Sequence, residues 1–236
     1  FDSGKAAIGT GPFRLSAFRR GERVELVRND TWWGGRAAWD RVTLRVIPAD
    51  TARVAALLAG DVDAIENIPT ADLPRLKGDA RFSLAQTVSW RTIFLHLDQA
   101  RERAPFATDK AGRPLERNPF RDLRVRQAMS HAINRNALAE RVMDGLALPA
   151  ANIVAPPVFG HVAGRKPDAW DPEGARKLLA EAGYPDGFGI TLHAPNNRYV
   201  NDDQIAQALA QMLTRIGIQT RVVTLPASTY FAKARD

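Results

Sequence analysis

Two groups of side chains in this sequence have the types and spacing to hold a small molecule. Trp90, Phe94 and His96 fall two or four positions apart, Trp90 just before and the others within a stretch, residues 91–97, rich in β-branched and aromatic side chains. Read as a strand, that stretch puts all three on one face, because successive side chains alternate sides. Two broad rings offer stacking surface, and the imidazole adds a hydrogen-bonding edge. Core packing is the competing account of such a row, above all for Phe94, since large aromatics are usually covered. The second group is Asn196-Asn197-Arg198-Tyr199-Val200-Asn201, between a strand end and a helix start. Ligands of open α/β sheets sit at such places, where free backbone N–H groups and the helix dipole gather. The same residues also suit a loop that only caps a helix.

Chemistry of other kinds is missing. No Gly-x-Ser-x-Gly elbow, P-loop or His-Glu-x-x-His occurs. Gly9 and Gly11 lack the third glycine of a dinucleotide site and precede a strand instead of following one. The four histidines, His96, His131, His161 and His193, are never paired at helical ligand spacing, and cysteine is absent. Asp61 and Asp63 read as solvated surface acids. No catalytic residue, metal site or cofactor is therefore expected.

Thirty-three basic against 26 acidic residues leave a charge of +7, which raises the question of nucleic acid. The arginines are dispersed among acids, and no aromatic-interleaved basic stripe appears, so a solvated basic surface is expected and no nucleic-acid partner. No apolar run approaches the ~20 residues that span a bilayer. Phe1-Asp2-Ser3-Gly4-Lys5 opens directly into polar sequence, as in a mature or truncated chain.

The elements that must position the two groups follow from periodicity and end signals. Residues 13–18, 23–28 and 41–47 read as strands, the last by the alternation of Val42, Leu44 and Val46. Asp50 is expected to cap a helix over 51–59 that Gly60 ends. A brief strand is expected over 61–65 and a short helix over 70–76. Residues 98–119 lack periodicity and are longer than most loops of a compact domain. Asp122 and Asn134 read as caps of two helices, reaching about Ile133 and Gly145, and a loop with Pro156 and Pro157 follows. Asp171-Pro172 starts another helix that Gly183 ends. A strand at 190–193, a helix over 202–216 closed by Gly217, and a strand at 219–225 make a βαβ unit, hence a parallel sheet.

Several blocks, in order, resemble the peptide, nickel and opine solute-binding proteins, extracytoplasmic family 5. They are Ile8-Gly9-Thr10-Gly11-Pro12-Phe13-Arg14-Leu15; Arg28-Asn29-Asp30 with Trp32-Trp33-Gly34; the run from Ala55 through Gly60-Asp61-Val62-Asp63; Asn118-Pro119-Phe120-Arg121-Asp122-Leu123-Arg124-Val125-Arg126-Gln127-Ala128; Tyr184-Pro185-Asp186-Gly187-Phe188; and Ile216-Gly217-Ile218. Together they cover nearly the whole chain.

The resemblance implies an α/β, type II periplasmic-binding-protein-like fold with two lobes, here incomplete, because family members are roughly twice as long. It implies a first lobe within 1–97, a crossover at 98–117 and a second lobe within 118–236. It also implies ligand contacts at Glu66 and Asn67 after the Gly60-Asp61-Val62-Asp63 turn, at Phe94 and His96 beside Trp90, and at Asn196, Asn197 and Asn201. Peptide binders often carry a tyrosine or an acid where Phe94 and His96 stand. The implied role is the periplasmic or lipid-anchored receptor of an ABC importer. Such a receptor, a monomer, takes a peptide or peptide-like solute to an inner-membrane permease. Other solutes of the family are nickel chelates, opines, glutathione and oligosaccharides. An α/β hydrolase is the alternative from another class, and it lacks a nucleophile–base pair.

Overall fold

The computed structural model describes residues 7–156 and 158–235; residues 1–5, Pro157 and Asp236 of the passages above lie outside them. Two compact units divide the chain, Phe1–Ile68 and Pro69–Asp236.

The first unit holds an antiparallel sheet in the order β1 (Phe13–Arg19), β2 (Arg23–Arg28), β3 (Arg41–Arg45), as the alternating patterns require. The link from β2 to β3 is tied down where it starts. The Asn29 backbone N–H donates to the Pro12 carbonyl at 2.8 Å and its Nδ2 to the Gly11 carbonyl at 3.2 Å. Arg28 bonds both Asp30 and Asp40. Further on, the Trp32 ring lies over Gly34, where any Cβ would collide with it. Helix α1 (Asp50–Ala59) buries Val54 and Leu57, and Gly60 ends it at φ 79°, a left-handed conformation that glycine adopts without strain.

Two local expectations fail in this unit. Asp50 is the first helical residue, and Ala49 occupies the cap position without a side-chain bond. Asp50 is drawn forward by the Arg53 guanidinium instead. Residues 61–65 form no strand, because the Asp61 N–H turns back to the Ala56 carbonyl at 2.9 Å. The Asp61 carbonyl is taken by Arg45, so that end of the stretch is committed before it could pair.

The second unit begins with a tight turn, Thr70–Asp72, that runs into α2 (Leu73–Lys77). Its sheet has the order β4-β5-β6, with β4 (Ala107–Thr108) antiparallel to β5 (Phe188–Pro195). Strand β5 runs parallel to β6 (Ile218–Leu225), from Phe188 opposite Ile218 to Pro195 opposite Leu225. Helix α3 (Leu123–Ala132) is followed by the short α4 (Arg135–Ala137), which passes into a π-turn over Leu138–Val142. Then come α5 (Pro172–Glu181), α6 (Asp202–Arg215), which joins β5 to β6 as the expected βαβ unit, and α7 (Ala227–Lys233). Val125, Ala128, Ala175, Leu179, Phe188, Leu213 and Ile218 make the dry centre.

Many of the residues that carry the family resemblance are building devices of this core. Asp122 Oδ1 accepts the Arg124 N–H at 2.8 Å, capping α3, while the Arg124 guanidinium closes the end of α5 on the Glu181 carbonyl. Arg126 holds the Phe120 carbonyl at 2.7 Å. Asp171 caps α5 through the Gly174 N–H and Asn134 caps α4 through the Ala137 N–H, both as expected. Gly187 and Gly217 lie against one another at φ 74° and 101°, and a Cβ on Gly187 would overlap the Gly217 carbonyl. Only glycine permits that approach.

Residues 98–117, expected as a crossover between lobes, are packed within the second unit. Ala104 and Ala107 are core residues, and β4 pairs with β5. Buried Asn118 closes this loop on itself: Nδ2 donates to the carbonyls of Asp98 and Arg101 at 2.8 and 2.9 Å, and Oδ1 accepts the Phe120 N–H.

Candidate functional site

Glu66 and Asn67 lie in the first unit and are exposed. Asn67 sits at φ 54°, a left-handed conformation that asparagine tolerates better than most side chains. Its carbonyl accepts from Arg53 at 3.1 Å, so the backbone of this turn is fixed while both side chains face solvent.

The other six candidates lie in the second unit. The segment that carries Trp90, Phe94 and His96 is not a strand: among the described residues, 91–97 joins neither sheet. A strand exists only through a partner's ladder of hydrogen bonds, and no segment provides one here. The alternation survives only over 94–97. Leu95 and Leu97 pack on the core cluster, while Phe94 and His96 point away. Trp90 is 78% exposed and Phe94 59%, which disposes of core packing for these rings in this unit.

The three asparagines of the loop are not equivalent. Asn197 Oδ1 accepts the Ala227 N–H at 2.8 Å and so caps the start of α7. Asn201, at φ 56°, donates through Nδ2 to the Val142 carbonyl at 2.6 Å and to Thr70 Oγ1 at 3.2 Å. Val142 is the last residue of the π-turn, so one amide ties three separate elements together. Asn196 binds β6 only through its backbone, with its N–H on the Leu225 carbonyl at 3.0 Å, and its side chain is exposed.

Sequence reasoning passed over the residue that shapes the loop. Asp202, 5% exposed, turns its carboxylate back over the preceding turn. Oδ2 accepts the N–H groups of Arg198 (2.8 Å) and Tyr199 (3.3 Å), and Oδ1 that of Asp203 (3.0 Å). A buried charge is tolerable only when bonded in this way, and the positive end of the α6 dipole favours it further. An Asp immediately after Asn at a helix start was the available signal.

Tyr199 was quoted only as part of the loop, yet it is the point where the two groups meet. The Arg91 guanidinium lies over its ring, 5.8 Å from the centroid. Burial raises the Tyr199 phenol above its ordinary pKa, with Tyr230 and Asp202 adding to the effect, while Arg198 and Arg91 oppose it. The second unit also carries a shallow, solvent-open depression of about 480 Å³, lined by Phe106, Thr108, Thr191, Thr220 and Arg221. None of the expected residues lines it.

A parallel βαβ unit carries its polar loop at the carboxyl end of β5, where open α/β sheets hold their ligands. The chain belongs to the bacterial extracellular solute-binding proteins, family 5, whose middle-region model matches residues 1–236. It is similar to heme-binding protein A of Haemophilus influenzae, 29% identical over 97% of this chain and 40% of that protein. The dipeptide-binding protein of Escherichia coli is 28% identical over the same shares. Among solved structures, the ABC transporter-associated periplasmic binding protein DppA of Helicobacter pylori, in complex with the peptide STSA, superposes with a TM-score of 0.70. That match has 26% identity and covers 94% of this chain and 40% of the other. The chain thus spans about two fifths of the length of the curated relatives it matches. These relatives are named for binding, not for catalysis.

Proposed function

We propose that this chain forms part of the substrate-binding component of an ABC importer. In that role it captures a peptide or peptide-like solute and passes it to a membrane permease. The observation that carries this reading is the family match over all 236 residues. The exposed row of Trp90, Phe94 and His96, beside a loop whose backbone is held from within, fits it, because a binding surface gains affinity when it is ordered before the ligand arrives. Glu66, Asn67, Asn196, Asn197 and Asn201 complete the proposed contact set, with Asn197 and Asn201 acting through the loop they anchor. Capture between two lobes, action as a monomer in the periplasm or at a lipid anchor, and the absence of nucleic-acid and catalytic roles belong to the same reading. A non-peptide solute is the second reading, favoured by the similarity to heme-binding protein A and by His96 on the aromatic face.

Native mass spectrometry of the protein, purified without denaturation, tests both. An adduct with the mass of a short peptide supports the first, and one with the mass of a porphyrin or another non-peptide solute supports the second. A solute-free protein that then gives no calorimetric signal with di- to tetrapeptides or haemin would overturn the receptor reading.

A further inference from the structure

Arg91 touches an aromatic ring and not a carboxylate. Elsewhere in the chain Arg28, Arg53, Arg101, Arg113, Arg124 and Arg176 each lie on a carboxylate. Arg91 forms no such pair among the described residues. Its backbone N–H is held by Ser89 Oγ at 3.0 Å, and its guanidinium rests over the Tyr199 ring. The residue is exposed, so the N–H fork of the stacked guanidinium is open to solvent.

Arg198, one residue before Tyr199, adds a second positive charge close to the ring. Asp202, the acid that acts on the same ring, is buried, with its oxygens occupied by three backbone N–H groups. Arg91 also directly follows Trp90 and shares the segment with Phe94 and His96. We propose that Arg91 is a specificity-determining residue that makes the site prefer solutes carrying an extra negative charge, such as a peptide with an acidic side chain, over neutral or cationic ones. This rests on the solute-binding reading above, and it assigns a charge preference that the reading leaves open.

A stacked, solvent-open cation about 4 Å from a carboxylate is worth roughly a fivefold preference. The test uses Ala-Glu, Ala-Gln and Ala-Lys as probes, titrated to millimolar concentration against the ¹⁵N-labelled protein at low salt. Shifts of the Trp90 indole and Arg91 Nε–H resonances are followed. The expected order is Ala-Glu, then Ala-Gln, then Ala-Lys, with about fivefold between the first two. In Arg91→Gln that ratio, read from the Trp90 indole, falls to one, and in Arg91→Lys it is reduced but present. Equal affinities in the wild type, or a ratio unaltered in Arg91→Gln, would overturn the charge preference and leave peptide binding standing. Failure of all three peptides to saturate would overturn both.

Discussion

Residues 90–97 and 196–201 were both expected to face a ligand, and their side chains do opposite things. In the loop, Asn197, Asn201 and Asp202 spend their polar atoms on the protein itself, holding α7, the π-turn and the loop's own backbone. In the segment, Trp90, Phe94 and His96 are exposed, and Leu95 and Leu97 pack it on the core. A binding surface needs both kinds of residue. Anchors fix geometry at a cost in side-chain freedom, whereas contact residues remain available because the fold does not use them. The Arg91–Tyr199 stack is where the two meet.

If that division is right, stability and contact should separate under mutation. Asp202→Ala strips the acceptor from three N–H groups at a nearly buried position and should cost about 3 kcal/mol. Urea unfolding measures it, and a loss under about 1 kcal/mol would show that the loop is held some other way. Asn201→Ala loses the bonds to Val142 and Thr70 and also places a Cβ-bearing residue without a local hydrogen-bonding side chain at φ 56°. It should cost about 2 kcal/mol, and Asn201→Gly about 1, since glycine removes the backbone strain but not the lost bonds. Equal costs for the two would mean that the amide, not the backbone, carries the position. On the other side of the comparison, Phe94→Ser should change stability by no more than about 0.5 kcal/mol, as exposed positions usually do. A cost of 2 kcal/mol or more in the same unfolding assay would place that ring in a core and erase the contrast.

Much of the framework was legible. The first-unit strands follow their alternation, and Asp122, Asn134 and Asp171 cap the helices they precede. Each of these is a local decision between a side chain and the two or three backbone groups beside it, so neighbouring residues suffice to read it. The segment 91–97 has strand composition yet no strand, because a ladder is a property of two segments and the second lies outside the local pattern. Residues 98–119 looked structureless for a related reason: β4 is two residues long, and Asn118 closes the loop across some twenty positions.

The site divides along the same line. Sequence alone nominated the candidates: the row of Trp90, Phe94 and His96, and an amide-rich loop at a strand-to-helix junction. It also placed Gly60, Gly183 and Gly217 at helix ends, where all three have positive φ. Only tertiary structure decided which candidates stay free. Asn201 is committed by residues 59 and 131 positions away, Asn197 by one 30 away, and Arg91 is carried to Tyr199 by the packing of Leu95 and Leu97 on the core. The physical reason is that an amide or guanidinium has the same donors wherever it stands, and its role is set by what the fold brings within hydrogen-bonding reach.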